Sequence, residues 1–74
     1  MTVLKMGYFV SYWAAGKAVQ YWNRDLKLWV YTKNKYCLYT TKHGAAVAAG
    51  HVRQRYSNSD IQRHIVAEHL SYKE

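Results

Sequence analysis

The sequence predicts an α+β domain: an antiparallel meander of three or four strands packed against one main helix, closed by a C-terminal helix or a returning strand. Three observations carry that expectation. Aromatic and β-branched residues are dense in residues 6–32 and fall into period-two alternation. Small apolar residues then recur at helical spacing between residues 45 and 56. Turn residues punctuate both regions in a chain that contains no proline.

Residues 6–13 place Met6, Tyr8, Val10 and Tyr12 on one face and Phe9, Ser11 and Trp13 on the other, as a strand requires. Residues 14–17, carrying Gly16, make a turn into a second strand over 18–23. Asn23, Arg24 and Asp25 supply turn chemistry before a third strand over 26–32. There Leu26, Leu28 and Val30 alternate with Lys27, Trp29 and Tyr31. The aliphatic set is expected in the core, with Lys27, Trp29 and Tyr31 on an open sheet face. Residues 32–35 are a polar connection, and 36–39 read as a short fourth strand or an extended lead-in to the helix.

Thr40 or Thr41 can cap a helix over residues 41–56, whose stripe of Ala45, Ala48, Ala49, Val52 and Tyr56 faces the sheet. Gly44 and Gly50 each cost about 1 kcal/mol against Ala inside a helix, which implies close backbone approach or a frayed helix. Ser57, Asn58 and Ser59 end it. Residues 60–72 read two ways. As a helix they have Ser59 as cap, Gln62 three residues on, and Ile61, Ile65 and His69 on one stripe. As a strand they carry Ile61, Arg63, Ile65 and Ala67 on one face, returning to the sheet. The helix formers around Ala67, Glu68 and Leu70 favour the helix.

At 74 residues the chain is expected to be one domain without a deep substrate cavity. Its formal charge is +7, and residues 1–59 hold nine basic side chains against one acid. Acidic partners are favoured, nucleic acid first, then an acidic protein surface, then an anionic membrane. Ten of the twelve aromatic residues lie between Tyr8 and Tyr39, interleaved with Lys17, Arg24, Lys27, Lys33 and Lys35. Positive charge attracts phosphate and flat rings stack or fill pockets, so this is the composition of a contact surface. The candidate nucleic-acid contacts are Lys27, Trp29, Tyr31, Lys33, Lys35, Lys42, Arg53 and Arg55. A homodimer is a further option, since a second copy can cover leftover aromatic surface.

Cys37 is the sole cysteine, which fits a reducing cytoplasm and a small hydrophobe in a strand. No run approaches the ~20 apolar residues of a membrane span, and the N-terminal residues lack a signal peptide's order, so a soluble cytoplasmic protein is expected. Catalytic chemistry is thin. Asp25, Asp60, Glu68 and Glu74 form no obvious pair across a cleft, and Cys37 is not flanked by a catalytic turn. His43, His51, His64 and His69 lack the tight spacing of a zinc set, so no metal, no cofactor and no enzymatic activity are expected.

The order of an aromatic meander, from Tyr21-Trp22-Asn23 to Leu28-Trp29-Val30, and then Thr41-Lys42 with an alanine-rich helix resembles small accessory proteins of tailed bacteriophages. That likeness spans roughly residues 8–55 and implies action on host or viral nucleic-acid machinery in the host cytoplasm. Lys42, Ala45, Ala48, Ala49 and Val52 also resemble the last helix of a double-stranded-RNA-binding domain, which implies a helix N-terminus and a lysine facing phosphate. Two functions follow as expectations. One is a small basic protein gripping the phosphate backbone with little sequence specificity. The alternative is an inhibitor or adaptor that docks its aromatic patch on a host nucleic-acid enzyme.

Overall fold

A computed structural model describes residues 4–73. Strand β1 (Leu4–Ala14) turns directly into β2 (Lys17–Asn23), and β3 (Leu28–Val30) follows after a four-residue turn. Helix α1 (Lys42–Gln54), a short α2 (Ser59–Arg63) and strand β4 (Ile65–Lys73) complete the order. The four strands form one sheet in the order β3-β2-β1-β4, every pair antiparallel. The expected α+β architecture is therefore present, with the fourth strand supplied by the C-terminal segment.

Local chemistry explains the joints. Ala15 and Gly16 both have positive φ, 54° and 77°, the conformation of a two-residue hairpin loop whose twist matches its strands. Thr41 caps α1 by accepting the Gly44 N–H at 3.0 Å. Asn58, rather than Ser59, caps α2 by accepting the Asp60 N–H at 2.8 Å. Gln62 then reaches back, its Nε2 donating to the carbonyls of Tyr56 at 2.7 Å and Arg53 at 3.3 Å. These bonds satisfy backbone acceptors where α1 ends.

The expected helix over 60–72 is corrected beyond Arg63: from Ile65 the chain is a strand, in register with β1 from Tyr12↔Ile65 to Leu4↔Lys73. The reason is non-local. β2 pairs with β1 along residues 11–14, and the other edge of β1 offers its backbone groups to a returning strand. Tyr39 makes one bridge with Tyr8, so the expected strand at 36–39 shrinks to a single pair. The opposite edge of β1 is filled from Leu4 to Tyr12 by β4.

The sheet separates two apolar clusters. On the helix side Val10, Trp22 and Ile65 meet Ala49 and Val52 of α1, with Tyr12, Trp29, Ala48 and Tyr56 packed around them. The expected stripe thus faces the sheet, with Ala45, Ala49 and Val52 buried. On the other side Phe9 and Tyr72 meet Cys37, flanked by Tyr21, Val30, Leu38 and Leu70. Gly7 permits this second cover, because a Cβ there would stand 1.9 Å from Leu38 Cδ1.

Gly50 has no such reason. A Cβ on it meets nothing within 4 Å, so neither close approach nor steric need explains the glycine. Gly50→Ala is expected to stabilise the domain by about 0.5–1 kcal/mol, read as a higher urea midpoint. A lower midpoint would show that the site is more crowded than the backbone indicates.

Cys37 is fully buried, and desolvation pushes its thiol up, against smaller opposing effects from the Asn34 hydrogen bond and Arg24. Burial also raises Tyr21, helped by Glu68, and Tyr39, where Arg24 opposes it. All three groups hold their protons more tightly folded than unfolded. Their contribution is intact at neutral pH and is lost as pH rises past about 8.5–10, where the unfolded side chains ionise. Urea midpoints should therefore fall between neutral pH and the alkaline range, and a thiol reagent should label native Cys37 far more slowly than denatured Cys37. Equal labelling rates would contradict the burial.

Candidate nucleic-acid interface

The third strand is where the expected open face fails. Strand β3 begins only at Leu28, because residues 24–27 form the turn. Trp29 stands opposite Trp22 and shares its face, the one that α1 covers. The Trp29 ring packs edge-on to Trp22 at 5.3 Å and to Tyr12 at 5.6 Å, and its Nε1–H donates to Tyr56 Oη at 2.7 Å. Leu26 and Leu28, expected inside, are exposed. Tyr31, 79 % exposed, lies open as expected, and Lys27 is exposed too, but in the turn before the strand.

The turn that displaces this strand is itself well built. Asn23 is buried, and its Oδ1 accepts the N–H groups of Asp25 at 3.0 Å and Leu26 at 2.9 Å. The Lys27 N–H closes the loop on the Asn23 carbonyl at 2.7 Å, and the Arg24 N–H binds the Tyr36 carbonyl at 3.1 Å. Lys27 sits at φ 56°, a left-handed conformation that costs a non-glycine residue about 1–2 kcal/mol. A lysine where glycine would fit the backbone better is a reason to look for a use of its charge.

Arg24 and Lys27 face a hollow of about 200 Å³ that they share with Trp22, Tyr39 and one face of α1. The helix contributes Ala48, His51, Val52 and Arg55, the spacing of a single helical face. Four basic side chains from two elements thus converge on one concavity, and no acid lines it. The rings hold the guanidinium groups in place: Arg24 lies 5.7 Å from the centre of Tyr39 and Arg55 5.3 Å from that of Trp22.

The other arginines are engaged elsewhere. Arg53 donates through Nε and Nη2 to the Ile65 carbonyl, at 2.9 and 2.7 Å, and so ties α1 to the start of β4. Arg63 pairs with Asp60 at 3.7 Å on the surface. Among the described residues, no carboxylate and no backbone acceptor engages the guanidinium groups of Arg24 or Arg55.

Of the eight residues read from the sequence, the hollow gathers Lys27 and Arg55. Trp29 is partly buried against the core and Arg53 is a tie between elements. Tyr31 and Lys33 border a different hollow with Leu4, Tyr21 and Tyr72, where Lys33 lies 5.6 Å over Tyr21. Lys35 lies over Tyr36, and Lys42 borders a third hollow beside Glu68 and His69. Sequence reasoning missed Trp22, Arg24, Tyr39 and His51. The one signal that could have found part of the set was His51 and Arg55, four residues apart on the helix.

The remaining titratable groups do not assemble. The four histidines are exposed, His69 stacked on Tyr8 at 4.5 Å and His64 tilted on Tyr12 at 5.6 Å. Glu68 accepts the Trp13 Nε1–H at 2.6 Å, while Glu74 lies outside the described residues. Among the described residues no three metal-capable side chains come together, and no helix is long and apolar enough to cross a membrane.

In comparisons with protein-family models, curated proteins and solved structures, nothing matches this chain. The hollow's own chemistry is the ground for a functional reading.

Proposed function

We propose that this is a small basic nucleic-acid-binding protein that grips the phosphate backbone, with little sequence preference, through the hollow of Arg24, Lys27, His51 and Arg55. One observation carries the reading: basic side chains distant in sequence converge on a concavity free of acids, and the guanidinium groups of its two arginines have no carboxylate or backbone acceptor among the described residues. Compared with the sequence expectation, the surface moves from an open sheet face to the seam between the β2–β3 turn and α1.

Fluorescence anisotropy of a labelled oligonucleotide across a salt series tests it. The logarithm of affinity should fall linearly with the logarithm of salt, and Lys27→Ala should flatten the slope by about one unit. Absence of binding at low salt would end the proposal.

A second reading is an adaptor or inhibitor that docks on a host nucleic-acid enzyme, as the likeness to phage accessory proteins implies. It is favoured by the exposure of Leu4, Met6, Leu26, Leu28 and Tyr31. Capture of a defined protein that survives nuclease and moderate salt would support this reading over the first.

A further inference from the structure

The rings in the hollow have a second consequence, which rests on the backbone-binding reading. Among the described residues, single-stranded nucleic acid would need an open aromatic face at the cationic site, because stacking on such faces supplies about 1–3 kcal/mol per base. Neither ring here offers one. Trp22 is 7 % exposed, with Arg55 over its ring and Trp29 edge-on at 5.3 Å. Tyr39 is half-buried beneath Arg24. The hollow, at about 200 Å³, is also smaller than the roughly 300–1,000 Å³ typical of sites that enclose a small molecule.

A guanidinium on a ring interacts through its flat face, which leaves its in-plane N–H groups for another acceptor. Two such groups, fixed by rings and joined by Lys27, match the fork geometry of phosphate oxygens. Holding them in place before binding lowers the ordering cost of the contact. The exposed Tyr31 does not supply the missing stack, since it borders a separate hollow.

We infer that the site takes the phosphodiester backbone of a duplex, and that Tyr39 and Trp22 are positioning residues that aim arginines instead of stacking on bases. The discriminating variant is Tyr39→Leu, which removes a ring but no charge.

The test measures anisotropy of a labelled duplex and of one of its strands at equal salt, with tryptophan emission recorded in both. The duplex should bind several-fold more tightly, without quenching. Tyr39→Leu should weaken duplex binding by about three- to tenfold, the range of a cation–π contact, while Tyr39→Phe binds like the unaltered protein. Circular dichroism of Tyr39→Leu separates lost aim from lost fold, and should that variant not fold, the duplex-to-strand ratio decides alone. Tighter single-strand binding with quenched emission overturns the inference and leaves the backbone-binding reading standing. No binding of either form at low salt overturns both.

Discussion

Replacing Trp29 by alanine is expected to cost the domain a large part of its stability. The substitution removes a ring that touches Trp22 and Tyr12 and strands the Tyr56 hydroxyl that accepts its N–H at 2.7 Å. Large-to-small changes of this kind cost about 3–5 kcal/mol in a packed core. A domain of this length has roughly 4–11 kcal/mol in all, so the loss consumes much of its stability. Tyr31→Ala, at an exposed site two residues further along the chain and just past β3, should change stability by less than about 0.5 kcal/mol. Urea unfolding followed by circular dichroism measures both. Near-equal midpoints for the two variants would restore the open sheet face that the alternation suggests and remove the present account of the core.

The second large effect concerns binding. Arg24→Glu combined with Arg55→Glu should abolish measurable affinity for duplex nucleic acid, a loss of at least about a hundredfold at low salt. Each charge-assisted hydrogen bond to phosphate contributes about 1.5–3 kcal/mol, and reversal adds repulsion to the loss. A matched control is needed because the double change also lowers the net charge. Lys17→Glu with Arg63→Glu alters the total equally at exposed positions outside the hollow, and should weaken binding only modestly. If the control loses as much affinity as the test pair, the protein binds through its overall field and not through this site.

Much of the fold was legible because it depends on local pattern. The first two strands, the turn at Gly16, the cap at Thr41 and the alanine stripe of α1 all follow from neighbouring residues. The third strand was not, since Leu26-Lys27-Leu28-Trp29-Val30-Tyr31 carries apolar side chains in both phases. The pairing of Trp29 with Trp22 chose between them, and the Asn23 turn used up the residues that began the other phase. The C-terminal strand was only the second choice for a related reason. Ala67, Glu68 and Leu70 favour a helix intrinsically, but pairing with the edge of β1 from Leu4 to Tyr12 outweighed that preference. The candidate site was legible only in its composition. Sequence shows that basic and aromatic residues abound, whereas the sorting of arginines into ties and ring-borne groups needs the tertiary neighbours of each.

The pairing of β1 with β4 also governs how the chain reaches this state. The sheet's central strand is translated before all the others, yet one of its two neighbours is translated last, and contacts such as Trp13 to Glu68 span 55 positions. Folds dominated by such distant contacts close slowly, because the entropy of a long loop is lost before the contacts that repay it are made. The sheet therefore cannot be completed until β4, which pairs with β1 from Tyr12 to Leu4, is available. During that interval the edge of β1 that β4 later covers is open to any other strand nearby.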